Sequence, residues 1–324
     1  MSCQRTIEQP VIFAALLAMA SPLAALALAA DEPGGGAGPV AASNLELAAP
    51  IDRWDEAIPL GNGLTGGLLW GSGRNLKLSL DRGDLWDLRT PETLLGDDWT
   101  WTTIRKLVAE KNQARISELF DVPYNAFPYP TKIPAGRLEL TLDESQPAES
   151  FRLDLRAAVV RVKLAEGSVE VFYSAEEPVT MIRVTGPAPV WRIVAPDSLK
   201  KLGYGPPETG SEGDVSWSVQ EAALGLKYAV VTAGRRIDNA TEIALAITST
   251  DDGPDPLALG RERVRAALSA GYDSMLGPHV AWWRRFWSAS SVRVPDARVQ
   301  QHYDLVQYFY GAASRRGAPP IPLQ

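Results

Sequence analysis

The sequence predicts a mainly β protein, a large antiparallel β-sandwich followed by helices. Three observations lead there. From about residue 44 to 250, apolar and polar residues alternate with period two, as in Leu76-Lys-Leu-Ser-Leu80 and Val160-Arg-Val-Lys-Leu164. One apolar and one polar face per strand is the mark of antiparallel sheets sharing a core. Gly, Pro and Asp punctuate these runs, at Glu166-Gly167 and Gly186-Pro187 for example, where the chain must turn. Beyond Asp251-Asp252-Gly253-Pro254-Asp255-Pro256 the apolar spacing becomes helical and rich in aromatic residues.

Taken in order, residues 1–29 read as a secretory signal peptide. Arg5 precedes an apolar run from Val11 to Ala30, and Ala27-Leu28-Ala29 supplies the small residues of a cleavage site. Pro22 interrupts the run, which argues against an uncleaved anchor. The expected location is therefore secreted or periplasmic, with no membrane attachment after cleavage. The single cysteine, Cys3, lies in this segment, so the mature chain would hold neither a disulfide nor a thiol nucleophile. Residues 30–43, with the Gly-rich Asp31 to Gly38, read as a flexible linker.

Residues 44–256 read as the sandwich. Leu138-Glu-Leu-Thr-Leu142, Phe151-Arg-Leu-Asp-Leu155, Val169-Glu-Val-Phe-Tyr173, Val215-Ser-Trp-Ser-Val219 and Glu242-Ile-Ala-Leu-Ala-Ile247 add further strands. Ile104 to Phe120 breaks the pattern with helical spacing, and Tyr204 to Gly213 is a loop by composition. Residues 257–290 then form a linker helix carrying His279, Trp282, Trp283, Phe286 and Trp287. In the final stretch, 291–324, a helix from about Val299 to Ala313 carries Tyr303, Tyr308, Phe309 and Tyr310. Aromatic residues at this density on helical spacing are expected to pack; left bare, they would need a partner surface.

Composition narrows function. A net charge of -7 over 324 residues argues against nucleic acid and anionic membranes. Two histidines and no usable cysteine make a zinc site implausible. The carboxylates of Asp251, Asp252 and Asp255 lack the ligand alternation of a calcium loop, so no metal or cofactor is expected. No G-x-S-x-G elbow occurs. Asp81, Asp84 and Asp87 cluster, as do Asp97 and Asp98, but aspartate is favoured in turns for its hydrogen bonds to backbone. No catalytic residue is assigned. Gly61-Asn62-Gly63 leaves two roles open. Asn-Gly is a strong hairpin signal, or Asn62, with Trp54 and Trp86, touches a sugar, since indole rings stack on sugar C–H faces.

Four blocks carry a resemblance. They are WDEAIPLGNGLTGGLLWG (Trp54 to Gly71), LSLDRGDLWDLR (Leu78 to Arg89), FRLDLRAAVVRV with Val171 to Ser174, and HVAWWRRFW (His279 to Trp287) followed by YFYGAASRRGAPPIPLQ. In this order they resemble the N-terminal part of glycoside hydrolase family 95, the α-L-fucosidase and α-galactosidase group. Ser79 or Asp81 stands where family members usually have Asn, and Thr131 to Leu138 also suggests a divergent branch. The resemblance implies that 291–324 opens an (α/α)6 barrel whose remainder, with the acid and the water-placing groups of an inverting hydrolysis, is not encoded here. The expectation is a glycoside hydrolase N-terminal domain, inactive by itself, with carbohydrate and a helical barrel as partners. The alternatives are a stand-alone carbohydrate-binding module or a subunit pairing with a separately encoded barrel.

Overall fold

A computed structural model describes residues 38–319; the signal peptide assigned to 1–29 and the first part of the linker lie outside them. Sixteen strands build the described molecule. They are β1 (Leu45–Ala48), β2 (Ile58–Gly61), β3 (Thr65–Ser72), β4 (Asn75–Arg82), β5 (Trp86–Asp87), β6 (Thr131–Lys132), β7 (Gly136–Thr141), β8 (Ala148–Asp154), β9 (Val159–Leu164), β10 (Ser168–Tyr173), β11 (Thr180–Thr185), β12 (Val190–Val194), β13 (Glu208–Glu212), β14 (Val215–Glu221), β15 (Lys227–Ile237) and β16 (Ala240–Ser249). Nine form one antiparallel sheet in the order β1-β8-β9-β10-β11-β16-β15-β14-β13. Five form a second, β12-β7-β4-β3-β2, and β5 pairs with β6. The period-two pattern dictates this. Leu76, Leu78 and Leu80 of β4 and Val169, Val171 and Tyr173 of β10 turn inward into one core between the sheets, so the β-sandwich predicted from alternation is what forms.

The outer face of the large sheet divides in two. Phe172, Met181, Ala244, Ala246 and Val231 make a second apolar layer under the helices α5 (Pro256–Ala270) and α6 (Tyr272–Ala289), which are described below with α1–α4. Beside it a row of charges crosses seven strands, with Glu46, Arg152, Arg161, Glu170, Arg183, Glu242 and Arg235 at facing register positions. Opposite charges on neighbouring strands stabilise such pairs; Arg152 facing Arg161 is the like-charged exception in the row.

The helices depart from the sequence reading in instructive ways. The helix expected over 104–120 is three short ones, α1 (Trp101–Ala109), α2 (Gln113–Ile116) and α3 (Val122–Ala126), with a π turn at Ser117–Asp121. Lys111, at φ 54°, ends the first, and the Asn112 side chain caps the second by accepting from Arg115 N–H. A fourth short helix, α4 (Ser198–Lys201), follows β12. The helix expected over 257–290 is divided into α5 and α6 at Gly271, whose φ of 88° is left-handed and suited to glycine. Asp255 caps α5 through Ala258 N–H (2.9 Å). The stretch 204–213, a loop by composition, contributes the polar edge strand β13. A strand at the rim of a sheet can be polar on both faces, and then it shows no alternation.

Helix α7 (Ala297–Ala313) closes the molecule. Trp283, Trp287 and Tyr308 enter the main core, and Trp283 stacks on Tyr308 at 5.3 Å. Much of the aromatic surface of these helices is thereby covered by the sandwich itself. The chain before β1 is pinned as well, although 30–43 read as linker. Ser43 is buried and donates to Asp304 of α7 (2.6 Å), and Gly38 lies against Trp287.

Candidate functional site

The two ends of the sandwich differ. One end carries short hairpins, such as those at Ser72–Asn75 and Ile237–Ala240. The other gathers the turn after β2, the α1–α3 insertion, the loop before β13, the β14–β15 connection, the entry to α5 and the end of α7. Connections on a rigid scaffold are where binding groups concentrate, so this long-loop rim is the candidate site.

Asn62 stands on that rim. Its Oδ1 accepts from Thr65 N–H (2.9 Å) and Thr65 Oγ1 (3.1 Å), and its Nδ2 donates to Ser174 C=O (3.0 Å). The side chain is buried, and these bonds tie the β2–β3 turn to the β10–β11 loop. The flanking glycines serve α7. Gly63 N–H donates to Ala312 C=O (2.7 Å). A Cβ on Gly61 would stand 2.6 Å from that same oxygen, and one on Gly63 would stand 2.3 Å from Arg315 Cγ. The Gly-Asn-Gly signature is thus a seat for the end of a helix as well as a hairpin. Trp86 shares the rim, partly buried, its Nε1 donating to Gly83 C=O (3.0 Å). Trp54 does not. It sits 61% exposed in the 3-10 turn Trp54–Glu56 before β2, at the opposite end of that strand. The structure brings Asn62 and Trp86 to one end and leaves Trp54 at the other.

The aspartates of LSLDRGDLWDLR are engaged by cations. Arg82, 2% exposed, grips Asp84 (2.7 Å) and Asp252 (2.6 Å) and also donates to Ile247 C=O. Lys132 holds Asp81 (2.6 Å). Arg89 holds the fully buried Asp87 (2.6 Å), which also accepts from Tyr204 Oη (2.6 Å). Burial pushes the Asp252 carboxyl up, but the hydrogen bonds and charge of Arg82 outweigh it and hold Asp252 below the usual carboxylate range. Asp87 and Glu170 follow the same logic, burial being overcome by Arg89 with Tyr204 and by Arg161 with Arg183. Reading that motif for its carboxylates alone misses the arginines. The available signal was opposite charge at i, i+2, in Arg82/Asp84 and Asp87/Arg89.

Arg315 and His279 complete the rim's interior. Arg315 lays its guanidinium 3.6 Å from the Trp282 ring centroid and donates to Gly311 and Ser314 carbonyls, satisfying the helix end. No carboxylate pairs with it among the described residues, and burial lowers its pKa to about 10. His279 donates from Nε2 to Ala157 C=O (2.9 Å), and burial lowers its pKa to about 4. It is therefore a neutral core residue at neutral pH.

Comparison with known proteins places this architecture. The family model described as "Glycosyl hydrolase family 65, N-terminal domain" matches residues 45–234. The chain belongs to this family. The matched span contains Asn62, Arg82, Trp86 and Asp87, while Asp252, α5, α6 and α7 follow it. The matching model is of family 65, whereas the sequence blocks resemble family 95; both agree on the N-terminal domain of a glycoside hydrolase. A curated relative, alpha-L-fucosidase 2 of Arabidopsis thaliana, is 27% identical over 162 residues, 45% of this chain. The chain covers 18% of that protein's length. The solved structure "Putative kojibiose phosphorylase from human microbiome" aligns with a TM-score of 0.46 and 7% identity, over 82% of this chain and 41% of that one.

Proposed function

We propose that this chain is the N-terminal β-sandwich domain of a secreted glycoside hydrolase of the α-L-fucosidase-like kind, related to family 95, and that it does not cleave glycosides by itself. Glycoside hydrolysis needs one carboxyl that stays protonated to deliver a proton to the leaving oxygen, beside a second group that places water or attacks. The observation that carries the reading is the state of the rim carboxylates. Asp84, Asp87 and Asp252 are clamped by arginines, and the displaced titrations of Asp87 and Asp252 go down rather than up. A carboxyl held ionised below its usual range cannot act as the acid near neutral pH.

The acid and the water-placing groups would come from a helical barrel, in the same polypeptide or separately encoded. Helix α7 suits such a partner. Its inward face carries Gln300, Asp304 and Tyr308, and its outward face exposes Val299, Val306, Phe309 and Tyr310. An exposed apolar face of this kind is suited to being covered by a partner surface. The test is a turnover assay of the purified chain on chromogenic α-L-fucoside, α-galactoside and α-glucoside substrates. The expected result is no release above buffer; turnover that tracks the folded protein through purification overturns the proposal.

A further inference from the structure

The outer face of the five-stranded sheet carries charges that do not balance. Leu76 and Leu78 of β4 and Leu138 and Leu140 of β7 turn into the core, so Lys77, Ser79, Arg137 and Glu139 point outward. One row runs straight across four strands, with Trp70 facing Lys77, Lys77 facing Glu139 and Glu139 facing Arg192. Opposite charges at facing positions ordinarily pair, yet Lys77 and Glu139 do not. Glu139 is taken by two guanidinium groups, Arg137 on one oxygen (2.9 Å) and Arg192 on the other (2.9 Å). Burial works against its charge, and the two arginines outweigh burial and hold the carboxyl below the usual range. Lys77 Nζ stands instead 4.3 Å from the Trp70 ring centroid, and the indole is fixed by its Nε1 bond to Ser79 Oγ (3.0 Å). Three cations therefore surround one carboxylate. Each arginine bonds Glu139 through Nε and Nη2 and keeps Nη1 for another acceptor. Asp81, further along β4, leaves this excess unchanged, because Lys132 holds it (2.6 Å).

This face is open at its β12 edge, where the Arg192 side chain is 75% exposed and Val190 71%. The helices pack elsewhere, α5 along β15 and β16 and α7 beside β2. On a chain of net charge -7, a local excess of positive charge is a reversal of the surrounding field and attracts anions to one place. We propose that the outer face of β3, β4, β7 and β12 docks a carboxylate-bearing polysaccharide, a glycan that contains uronate units. Lys77 and the free Nη1 groups of Arg137 and Arg192 take its carboxylates, the planar guanidinium being well matched to them. Glu139 holds the two arginines in place, and Trp70 fixes where the Lys77 charge stands. From Trp70 to Arg192 the row crosses three inter-strand spacings, roughly 14 Å, which suits a run of sugar units better than a single small ion. That the carboxylates belong to a sugar chain rests on the glycoside hydrolase reading; that the ligand is anionic does not.

The test is calorimetry on the purified chain with oligogalacturonate, with the same oligomer as its methyl ester, and with polyglutamate, each at low and at high salt. Saturable binding of oligogalacturonate is expected, weaker at high salt because exposed charges are screened, and the uncharged ester should not bind. Arg192→Ala and Lys77→Gln should each weaken binding several-fold with an unchanged melting curve. The double variant Lys77→Glu with Arg192→Glu should abolish it, and the single variants decide the matter if the double one does not fold. No binding of oligogalacturonate at low salt overturns the proposal. So does binding that all the variants retain, or an ester that binds as well as the acid. If polyglutamate binds as tightly and the variants lose it, the glycan assignment is overturned and the fault lies with the ligand class taken from the glycosidase reading. None of these outcomes bears on turnover by the purified chain, which tests that reading separately.

Discussion

Arg82 keeps its charge at a position where nearly all water is excluded, because Asp84 and Asp252 face it from two sides and Ile247 C=O takes a further hydrogen bond. Burial works against the guanidinium, and the two aspartates more than restore it, raising its pKa. Such a group holds the loop after β4 to the entry of α5. Removing the cation alone leaves two carboxylates half-stranded, so Arg82→Met should cost about 3–5 kcal/mol near pH 7. The pH dependence has a definite sign. Asp252 titrates below its ordinary value in the folded protein, so its contribution is present above that ordinary value and is lost as pH falls through the depressed one. Without Arg82 the buried carboxyl keeps only Ser249 N–H and Arg263 to hold it down, so its titration moves up. Denaturant unfolding of both proteins should therefore show a gap that is widest near neutrality and narrows below about pH 4; a gap that is constant with pH would reject the clamp. At this scale the sequence was legible only in part. The aspartates of the motif stand out, yet the second carboxylate on Arg82, Asp252, is 170 positions away from it, and no local spacing reveals that pairing.

Elements were easier to read than their ends. Strands such as β4, β9 and β10 announce themselves by alternation, because each has one face in the common core. Edge strand β13 does not, since neither of its faces is obliged to be apolar. The break between α5 and α6 rests on one residue, Gly271, inside a continuous helical pattern. The Gly61-Asn62-Gly63 turn was read as a hairpin or a sugar contact, and its third role, seating α7, could not be seen before both elements were in place. That role is testable. Alanine at Gly63 would have to hold φ of 86° and displace Arg315, a change worth about 1–3 kcal/mol in strained backbone. Gly63→Ala should lower the melting temperature and speed amide exchange chiefly along Ala297–Ala313, with the strands of the large sheet little affected. Uniform protection loss across the sheets, or none in α7, would show that the turn does not seat the helix.

For the whole molecule, the sequence divided 44–256 from two helical segments, as if sandwich and helices were separable. The packing argues for a single cooperative body. α5 lies along β15 and β16, and Trp283, Trp287 and Tyr308 belong to the core that fills the space between the sheets. Trp287 Nε1 also donates to Leu155 C=O (3.1 Å) and Tyr308 Oη to Pro59 C=O (2.9 Å), so each helix is bonded to a different part of the sandwich. Burying an aromatic side chain of this size stabilises by several kcal/mol, judged by the roughly 3–5 kcal/mol lost on truncation to alanine. Helices that contribute several such residues to one core cannot leave it without unfolding what they cover. Thermal unfolding followed by tryptophan fluorescence and by far-ultraviolet circular dichroism should therefore give coincident midpoints, the signature of one transition. Three of the ten tryptophans, Trp282, Trp283 and Trp287, report from α6, and Trp70, Trp191 and Trp217 report from strands. If the helices form their own unit, the fluorescence will change in two steps, and Trp283→Phe will shift only the earlier one. If the body is one, Trp283→Phe will move both midpoints by the same amount.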